Sequence, residues 1–462
     1  MTDKPYRRLS PLTPLARSFI FVAAVLATTW RDVLRGDPGP LAWVLLALVV
    51  AGLVYGGASW LRTKYWIEAD ELRVDTGVIS RQSRRIRIDR LQGIDIVQPF
   101  VARLFGLAEL RMDVAGGRAR EGSLAFLTLG DARELKDVLL ARRDAVRAGA
   151  EQSTRQAEGT TDVATEPAAP DRLLARVDLG MLVVSILLSP ETAALLLTAL
   201  GFAAVFFVTG QWLGFSAMVP VLGGIVLVQF KKLSGNYNFT VSETPAGMQV
   251  RRGLFDLSSQ TIALPRLQGV VVAEPVLWRL LGWARLDVSI AGYASSGDNN
   301  GPAASTVLPV GHRDLVMRLT RHVLDGVDPD RTPVTAPPEE AQWVAPVGRH
   351  FMAAGADPRV VVSREGWLTR RTHVVPHARV QSLRISQGPW QRMLGLADLH
   401  VDSPPGPVDV RARHRYAAEA RHLLEQEAVV SRTARRVVDG KDPDRPGQGS
   451  GTLIPGVADT IQ

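Results

Sequence analysis

The sequence predicts a mixed architecture: paired transmembrane α-helices combined with three tandem antiparallel β-units, each closed by a C-terminal helix. Three observations predict it. Long apolar runs occur in two pairs, a 23-residue motif occurs three times, and apolar/polar alternation of period two precedes the motif. At 462 residues the chain needs several folding units, because single hydrophobic cores stop growing near about 250–300 residues. Apolar residues make up 46% and charged residues 22%, so the average hides strongly apolar runs beside strongly basic ones.

Residues 1–14 form an expected cytoplasmic N-terminus with Lys4, Arg7 and Arg8. A bilayer core of about 30 Å needs roughly 20 apolar helical residues. Within 15–61, Leu15 to Trp30 and Leu41 to Leu61 supply a first pair, separated by Pro38, Gly39 and Pro40. A first β-unit is expected over 62–147. The stretch 148–171 is rich in Ala, Thr, Glu and Gln without apolar period and is expected to be a flexible or extended linker. Over 172–190 the short run Leu179 to Leu188, ended by Ser189 and Pro190, reads as an interfacial helix or as an extension of the next span. Glu191 to Val208 and Gln211 to Phe230 supply the second pair within 191–230. A second β-unit follows over 231–324, a Pro- and Asp-rich linker over 325–345, a diverged third unit over 346–429 and a disordered tail over 430–462.

Orientation follows from basic flanks. Lys4, Arg7, Arg8 and Arg17 precede or open the first span, Arg62 and Lys64 follow the second, and Lys231 and Lys232 follow the fourth. Both termini and the large soluble units are therefore expected in the cytoplasm of a multi-pass plasma-membrane protein. Trp30, Trp43 and Trp212 mark the outer interface, and Trp60, Tyr65 and Trp66 the inner one. A signal peptide followed by buried core helices is the competing reading, and the later spans argue against it. Gly52 and Gly56 form a G-x-x-x-G that suits close helix approach, a weak signal because glycine is common in membrane helices.

The motif RLQGIDIVQPFVARLFGLAELRM begins at Arg90, and RLQGVVVAEPVLWRLLGWARLDV begins at Arg266; ten of 23 positions are identical without a gap. A third copy, RVQSLRISQGPWQRMLGLADLHV, begins at Arg379. Alternation in LRVDTGV from Leu72 and GMQVRRGLF from Gly247 reads as paired strands with a glycine turn, and Ile86, Ile88, Ile262 and Leu264 continue a core face. Further strands are expected at Leu124 to Leu129, Thr306 to Pro309 and Val408 to Val410. Closing helices are expected at Ala132 to Arg143, Arg313 to Leu324 and Tyr416 to Val429.

The paired spans, the RLQG core, the later R-L-x-G-[LW]-A and the closing helix resemble the bacterial PH-domain proteins of the YdbS and YdbT-like family, over Leu15 to about Glu427. The resemblance implies PH-like antiparallel β-sandwich domains capped by a helix, embedded in a membrane, with no established catalysis. The third copy departs from the pattern, with Ser382 in place of Gly93 and with Gly388 and Pro389 in place of Pro99 and Phe100. No apolar pair precedes it.

With no cysteine, disulfide scaffolds, Cys zinc sites, iron–sulfur clusters and thiol nucleophiles are excluded. The net charge of +8 favours an anionic partner. Arg81, Arg84, Arg85, Arg87 and Arg90 cluster near the membrane exit, with Arg85 and Arg87 on the strand face opposite Ile86 and Ile88. Arg81, Arg84, Arg85 and Arg87 are the candidate contacts to anionic lipid headgroups; solvated arginines under the positive-inside bias are the bland reading. The second copy has Thr261 and Ala263 at the places of Arg85 and Arg87, and the third has Val374 and Pro376, so a basic site belongs to the first unit alone.

Residues shared by the copies are expected to serve the fold: Arg90, Gln92, Gly93, Arg103 and Gly106; Arg266, Gln268, Gly269, Arg279 and Gly282; and Arg379, Gln381, Arg392 and Gly395. The glycines suit turns, and the arginines suit carboxylate pairing or helix-end capping. Histidines gather late, at His350, His373, His377, His400, His414 and His422, without a ligand motif, so no metal is expected. Gly292 to Gly301 lacks the Lys-Ser/Thr of a phosphate loop and reads as a long hairpin loop, and no catalytic motif is present. The reading is a non-enzymatic membrane scaffold or adaptor without cofactor, presenting its β-domains to a protein partner, to anionic lipid or to copies of itself. The alternative is a component of a transport or export system, which the absence of ionisable residues inside the three clearest spans disfavours. Nucleic-acid binding is disfavoured by the lack of interleaved aromatic and basic residues.

Overall fold

The computed structural model describes residues 7–8, 40–68, 71–76, 82–114, 123–155, 172–209, 212–244, 247–291, 306–404 and 406–438. The expected first span, Leu15 to Trp30, the glycine-rich loop at 292–301 and most of the tail lie outside them. These residues fall into two compact units, one within Met1–Pro170 together with Arg251–Thr261, the other within Asp171–Val250 together with Ile262–Gln462.

The first unit begins with β1 (Arg7–Arg8), then α1 (Pro40–Arg62), β2 (Lys64–Glu68), β3 (Glu71–Thr76) and β4 (Gln82–Arg87). These four strands form one sheet in chain order. Strand β1 pairs with β2 through Arg7 opposite Tyr65, so α1 lies in an insertion between the first two strands of the domain. The sequence reading placed that apolar segment ahead of the β-unit, and the pairing corrects it. A second sheet contains β5 (Leu91–Gln98), β6 (Leu107–Val114) and β7 (Ser123–Thr128), with the short helix α2 (Phe100–Leu104) between β5 and β6. Alternation sets the burial: Leu72, Val74, Ile86, Leu110 and Leu124 turn into one core shared by both sheets, while Arg73 and Arg85 point away. Helix α3 (Leu129–Arg155) closes that core with Ala132, Leu135 and Leu139, spaced at three and four residues. The Thr128 hydroxyl accepts from the Asp131 N–H at 3.1 Å and caps its start. The expected linker from residue 148 therefore begins later, since 148–155 continue this helix.

The second unit opens with β8 (Arg172–Arg176), which pairs antiparallel with β9 (Thr240–Thr244). Between them run α4 (Leu179–Leu187), α5 (Pro190–Thr209) and α6 (Trp212–Gly235). Of the segment 172–190, expected as an interfacial helix, Arg172–Arg176 form strand β8 instead, and the helix α4 that follows packs one face on the β-core while Leu179, Val183, Val184 and Leu187 are exposed. Asp178 caps α4 at the Met181 N–H, Leu182 joins Ala175, Val177 and Phe239 in the core, and the Trp278 indole donates to the Ser185 carbonyl at 3.1 Å. Among the described residues one helical stretch, Pro190–Val208, is long and apolar enough to cross a membrane, with mean hydropathy 2.0 and 6% of its most apolar window buried. Glu191 at the start of α5 meets Lys232 near the end of α6 at 3.6 Å, so the two helices run antiparallel and return to one end.

Strands β10 (Gly247–Arg252) and β11 (Leu257–Ile262) follow, then β12 (Leu267–Pro275), helix α7 (Val276–Leu280), β13 (Trp283–Ile290), β14 (Thr306–His312) and the amphipathic closing helix α8 (Arg313–Val323). The third repeat has β15 (Ala353–Ala356), β16 (Val360–Glu365), β17 (Thr369–Pro376), β18 (Ser382–Ser386), helix α9 (Pro389–Met393), β19 (Leu396–Asp402), β20 (Val410–Tyr416) and the closing helix α10 (Ala417–Val438). The last strand starts at Val410, where the sequence placed it at Val408 to Val410, and its helix runs nine residues beyond Val429. The 325–345 segment is ordered, not an extended linker. Val327, Thr332 and Ala341 are buried, Thr335 bridges Ala354, and the segment supplies the carbonyls of Thr335 and Ala336 to the buried Arg415. It thereby takes the place at the edge of β15 that β1 and β8 hold beside β2 and β9.

Candidate functional site

Two groups of repeated or clustered arginines occupy distinct environments. The first is the basic strand β4. Ile86 is buried in the core, and Arg84, Arg85 and Arg87 are exposed; Arg81 lies outside the described residues. Neighbouring carboxylates temper this face. Arg87 holds Asp89 through two hydrogen bonds of 3.1 and 2.7 Å, and Glu71 stands opposite it in β3. Arg73, opposite Arg85, is drawn to Glu68 at 2.9 Å and to Glu71 at 3.5 Å. Arg84 donates to the Gln82 amide oxygen at 3.3 Å. Sequence counting of arginines missed these partners because Glu68 and Glu71 arrive from neighbouring strands. Asp89, two residues after Arg87, was visible.

The second group joins consecutive repeats. In the first unit, β5 of repeat one pairs with β11 of repeat two, with Gln98, Val97 and Ile96 opposite Leu257, Ser258 and Ser259. In the second unit, β12 of repeat two pairs with β17 of repeat three along six positions from Val270 opposite Val374 to Pro275 opposite Thr369. Within the second unit the seam makes one sheet from β12–β14 of repeat two and β15–β17 of repeat three. Arg103 donates to the Leu254 carbonyl at 2.9 Å, and Arg279 donates to the Trp367 carbonyl at 2.9 Å, in each case reaching the turn ahead of the incoming strand. Phe100 adds an edge-to-face contact with Phe255 at 5.2 Å, and its N–H donates to Asp256 at 2.7 Å. The motif arginines were expected to meet carboxylates or cap helices; these two meet backbone carbonyls of the following repeat.

Other motif residues act within or just behind their own repeat. Arg266 donates to the Ala291 carbonyl, Gln268 donates to the Arg266 carbonyl at 3.1 Å, and Arg379 donates back to the Pro265 carbonyl at 2.6 Å. Gly106, Gly282 and Gly395 have φ of 68°, 66° and 66°, a left-handed turn that favours glycine after each short helix. Gly93 follows a register shift in β5. Arg90 is exposed at the end of a 3₁₀ turn, Gln92 lies in β5, and the Gln381 N–H donates to the Asp402 carbonyl at 2.9 Å. Arg392 is exposed on α9.

The late histidines scatter among different partners. His377 is buried, with one ring nitrogen 2.8 Å from Glu427 and the other 2.8 Å from the Asp357 carbonyl. Burial pulls its pKa down, but the Glu427 carboxylate and the Asp357 carbonyl outweigh it and hold the imidazole above its ordinary value. His400 is shifted the other way, by burial and by the charges of Arg384 and Arg411. Among the described residues no group of three His, Cys, Asp or Glu side chains is placed to hold a metal ion.

Paired sheets, closing helices and an apolar helix of membrane-spanning length inserted between paired strands define a protein of tandem β-domains. The profile of the Bacterial PH domain matches residues 18–143, 179–327 and 342–428, and the chain belongs to that family. The chain is 23% identical over 297 residues to the transmembrane protein YdbT of Bacillus subtilis (strain 168), a match covering 61% of this chain and 59% of that protein. The match thus spans under two thirds of that relative's length. No solved structure matches the chain.

Proposed function

We propose that the protein is a non-enzymatic, multi-pass scaffold of the plasma membrane, with both termini cytoplasmic, whose PH-like repeats present binding surfaces to a protein partner and to anionic lipid on the cytoplasmic face. The observation that carries this reading is the pairing of β8 with β9 around α4, α5 and α6. An excursion that leaves from one strand and returns to its neighbour must cross an even number of times, which keeps the second β-domain on one side. Leu197, Leu200, Phe207 and Val208 of α5 are exposed, as lipid-facing side chains would be. Lys231 and Lys232 follow at the returning end, the flank expected on the cytoplasmic side.

The absence of cysteine makes the test direct. In intact cells a membrane-impermeant maleimide is expected to label Thr209→Cys, at the far end of α5, and to spare Gln426→Cys in α10 until the cells are opened. Labelling of Gln426→Cys from outside would overturn the orientation. For lipid recognition, the full chain in nanodiscs is expected to show slower amide exchange in β4 with anionic than with neutral lipid at low salt. Arg84, Arg85, Arg87→Ala should abolish the difference, since each basic residue near an anionic surface contributes about 1 kcal/mol. Equal exchange in both lipids would remove lipid from the reading and leave the protein partner.

A further inference from the structure

Both seams obey one register. The residue eight places after the arginine that opens the motif faces the residue nine places before the next opening arginine: Gln98 faces Leu257, and Glu274 faces Arg370. The clamp repeats too, since Arg103 and Arg279 each stand thirteen residues after the opening arginine and each reaches a carbonyl twelve residues before the next one. Two sheets are left with the corresponding edges open among the described residues. Strand β4, the first-repeat counterpart of β11 and β17, ends its four-stranded sheet. Strand β18, the third-repeat counterpart of β5 and β12, ends a three-stranded one.

We propose that β18 of one chain pairs antiparallel with β4 of a second copy, repeating the internal seam between molecules and assembling the protein head to tail. The inference deepens the scaffold reading by naming its partner, and its test reads the contact whichever way the chain is oriented. The seam register places Ser386 opposite Gln82 and Ile385 opposite Ser83. On the β18 side the docking parts are present and uncovered. Arg392, the counterpart of Arg103 and Arg279, is exposed and has no side-chain partner among the described residues. Trp390 and Met393 beside it on α9 are 71% and 79% exposed. Such an edge is a template for another strand, and contacts of this heterologous kind build rings or open filaments.

Two features limit the ladder. Arg84 would stand opposite Arg384, and like charges directly opposed oppose pairing. Ser382 replaces the glycine that lets β12 approach β17, where a Cβ at Gly269 would lie 2.7 Å from the Val374 carbonyl oxygen. The intermolecular seam is therefore of the short kind seen between β5 and β11, where three pairs suffice.

The test uses full-length chains in one membrane. A Ser83→Cys chain mixed with an Ile385→Cys chain is expected to give, on oxidation, a disulfide-linked dimer of one of each, and the double variant a ladder of dimers, trimers and longer species. Arg392→Ala should lower the dimer yield about tenfold, the effect of losing one charge-assisted hydrogen bond, and Arg384→Glu should raise it. Dimers of either single variant alone, a disulfide formed only within one chain, or no cross-link in variants that keep the parent thermal transition would each overturn the proposal.

Discussion

Replacing Glu274 by alanine is expected to destabilise the second unit by about 3 kcal/mol, toward the lower end of the roughly 3–5 kcal/mol typical when one partner of a buried ion pair is removed. Glu274 is 3% exposed. One carboxylate oxygen takes Arg313 at 2.7 Å from the start of α8, and the other takes Arg370 at 2.6 Å from β17. A single carboxylate thus ties β12 to the closing helix of its own repeat and to the first half of the next. Without it Arg313 keeps Asp330 at 2.6 Å, and Arg370 is partly exposed, so water recovers some of the loss. Glu274→Gln should fall between the two, because an amide fills the space and accepts one hydrogen bond without the charge. Thermal unfolding of the full chain in detergent, followed by circular dichroism, reads the effect. An alanine variant that melts with the parent would show that the cluster contributes no net stability.

What the sequence disclosed and what it hid divide along a physical line. Period-two alternation located β3, β10 and the buried Ile86 and Ile262, because which face of a strand is apolar is a local property. The three motif copies were legible for the same reason, as was a glycine turn at Gly106, Gly282 and Gly395, though not its left-handed φ or the short helix ahead of it. The seams were not legible. Gln98 and Leu257 are brought together by topology across most of two repeats, and nothing in either strand says whether its edge is filled from its own repeat or the next. Recurrence of Arg103 and Arg279 told that their surroundings recur, and a carbonyl acceptor leaves no trace in sequence. Proline and aspartate in 325–345 suggested a spacer, yet Arg415 collects its carbonyls, a demand set ninety residues downstream of the segment's start. Strand β8 was masked by the apolar run that follows it, since five residues ahead of a membrane-length segment carry little pattern of their own.

Gly269 carries the second large expectation. A Cβ there would lie 2.7 Å from the Val374 carbonyl oxygen and 3.1 Å from the Val375 and Val408 side chains, so β12 and β17 cannot keep their spacing around any larger residue. Gly269→Ala is expected to cost about 1–3 kcal/mol by overpacking, with Gly269→Val at the upper limit or beyond. The contrast is Gly282→Ala, where nothing lies within 4 Å and the left-handed φ of 66° alone costs roughly 1–2 kcal/mol without disturbing the seam. Amide exchange separates the two. Gly269→Ala should open the amides shared by β12 and β17, whereas Gly282→Ala should loosen the turn before β13. Uniform protection across β17 in the Gly269 variant would mean that the seam bends to accept the methyl group. The third repeat supports the steric account from the other side: Ser382 takes the glycine's place on β18, whose outer edge has no paired strand among the described residues, and its hydroxyl binds Asp402 at 2.9 Å. Gly269 is held by the Val374 backbone of the next repeat, and at Ser382, with no strand paired beside it among the described residues, a side chain is admitted.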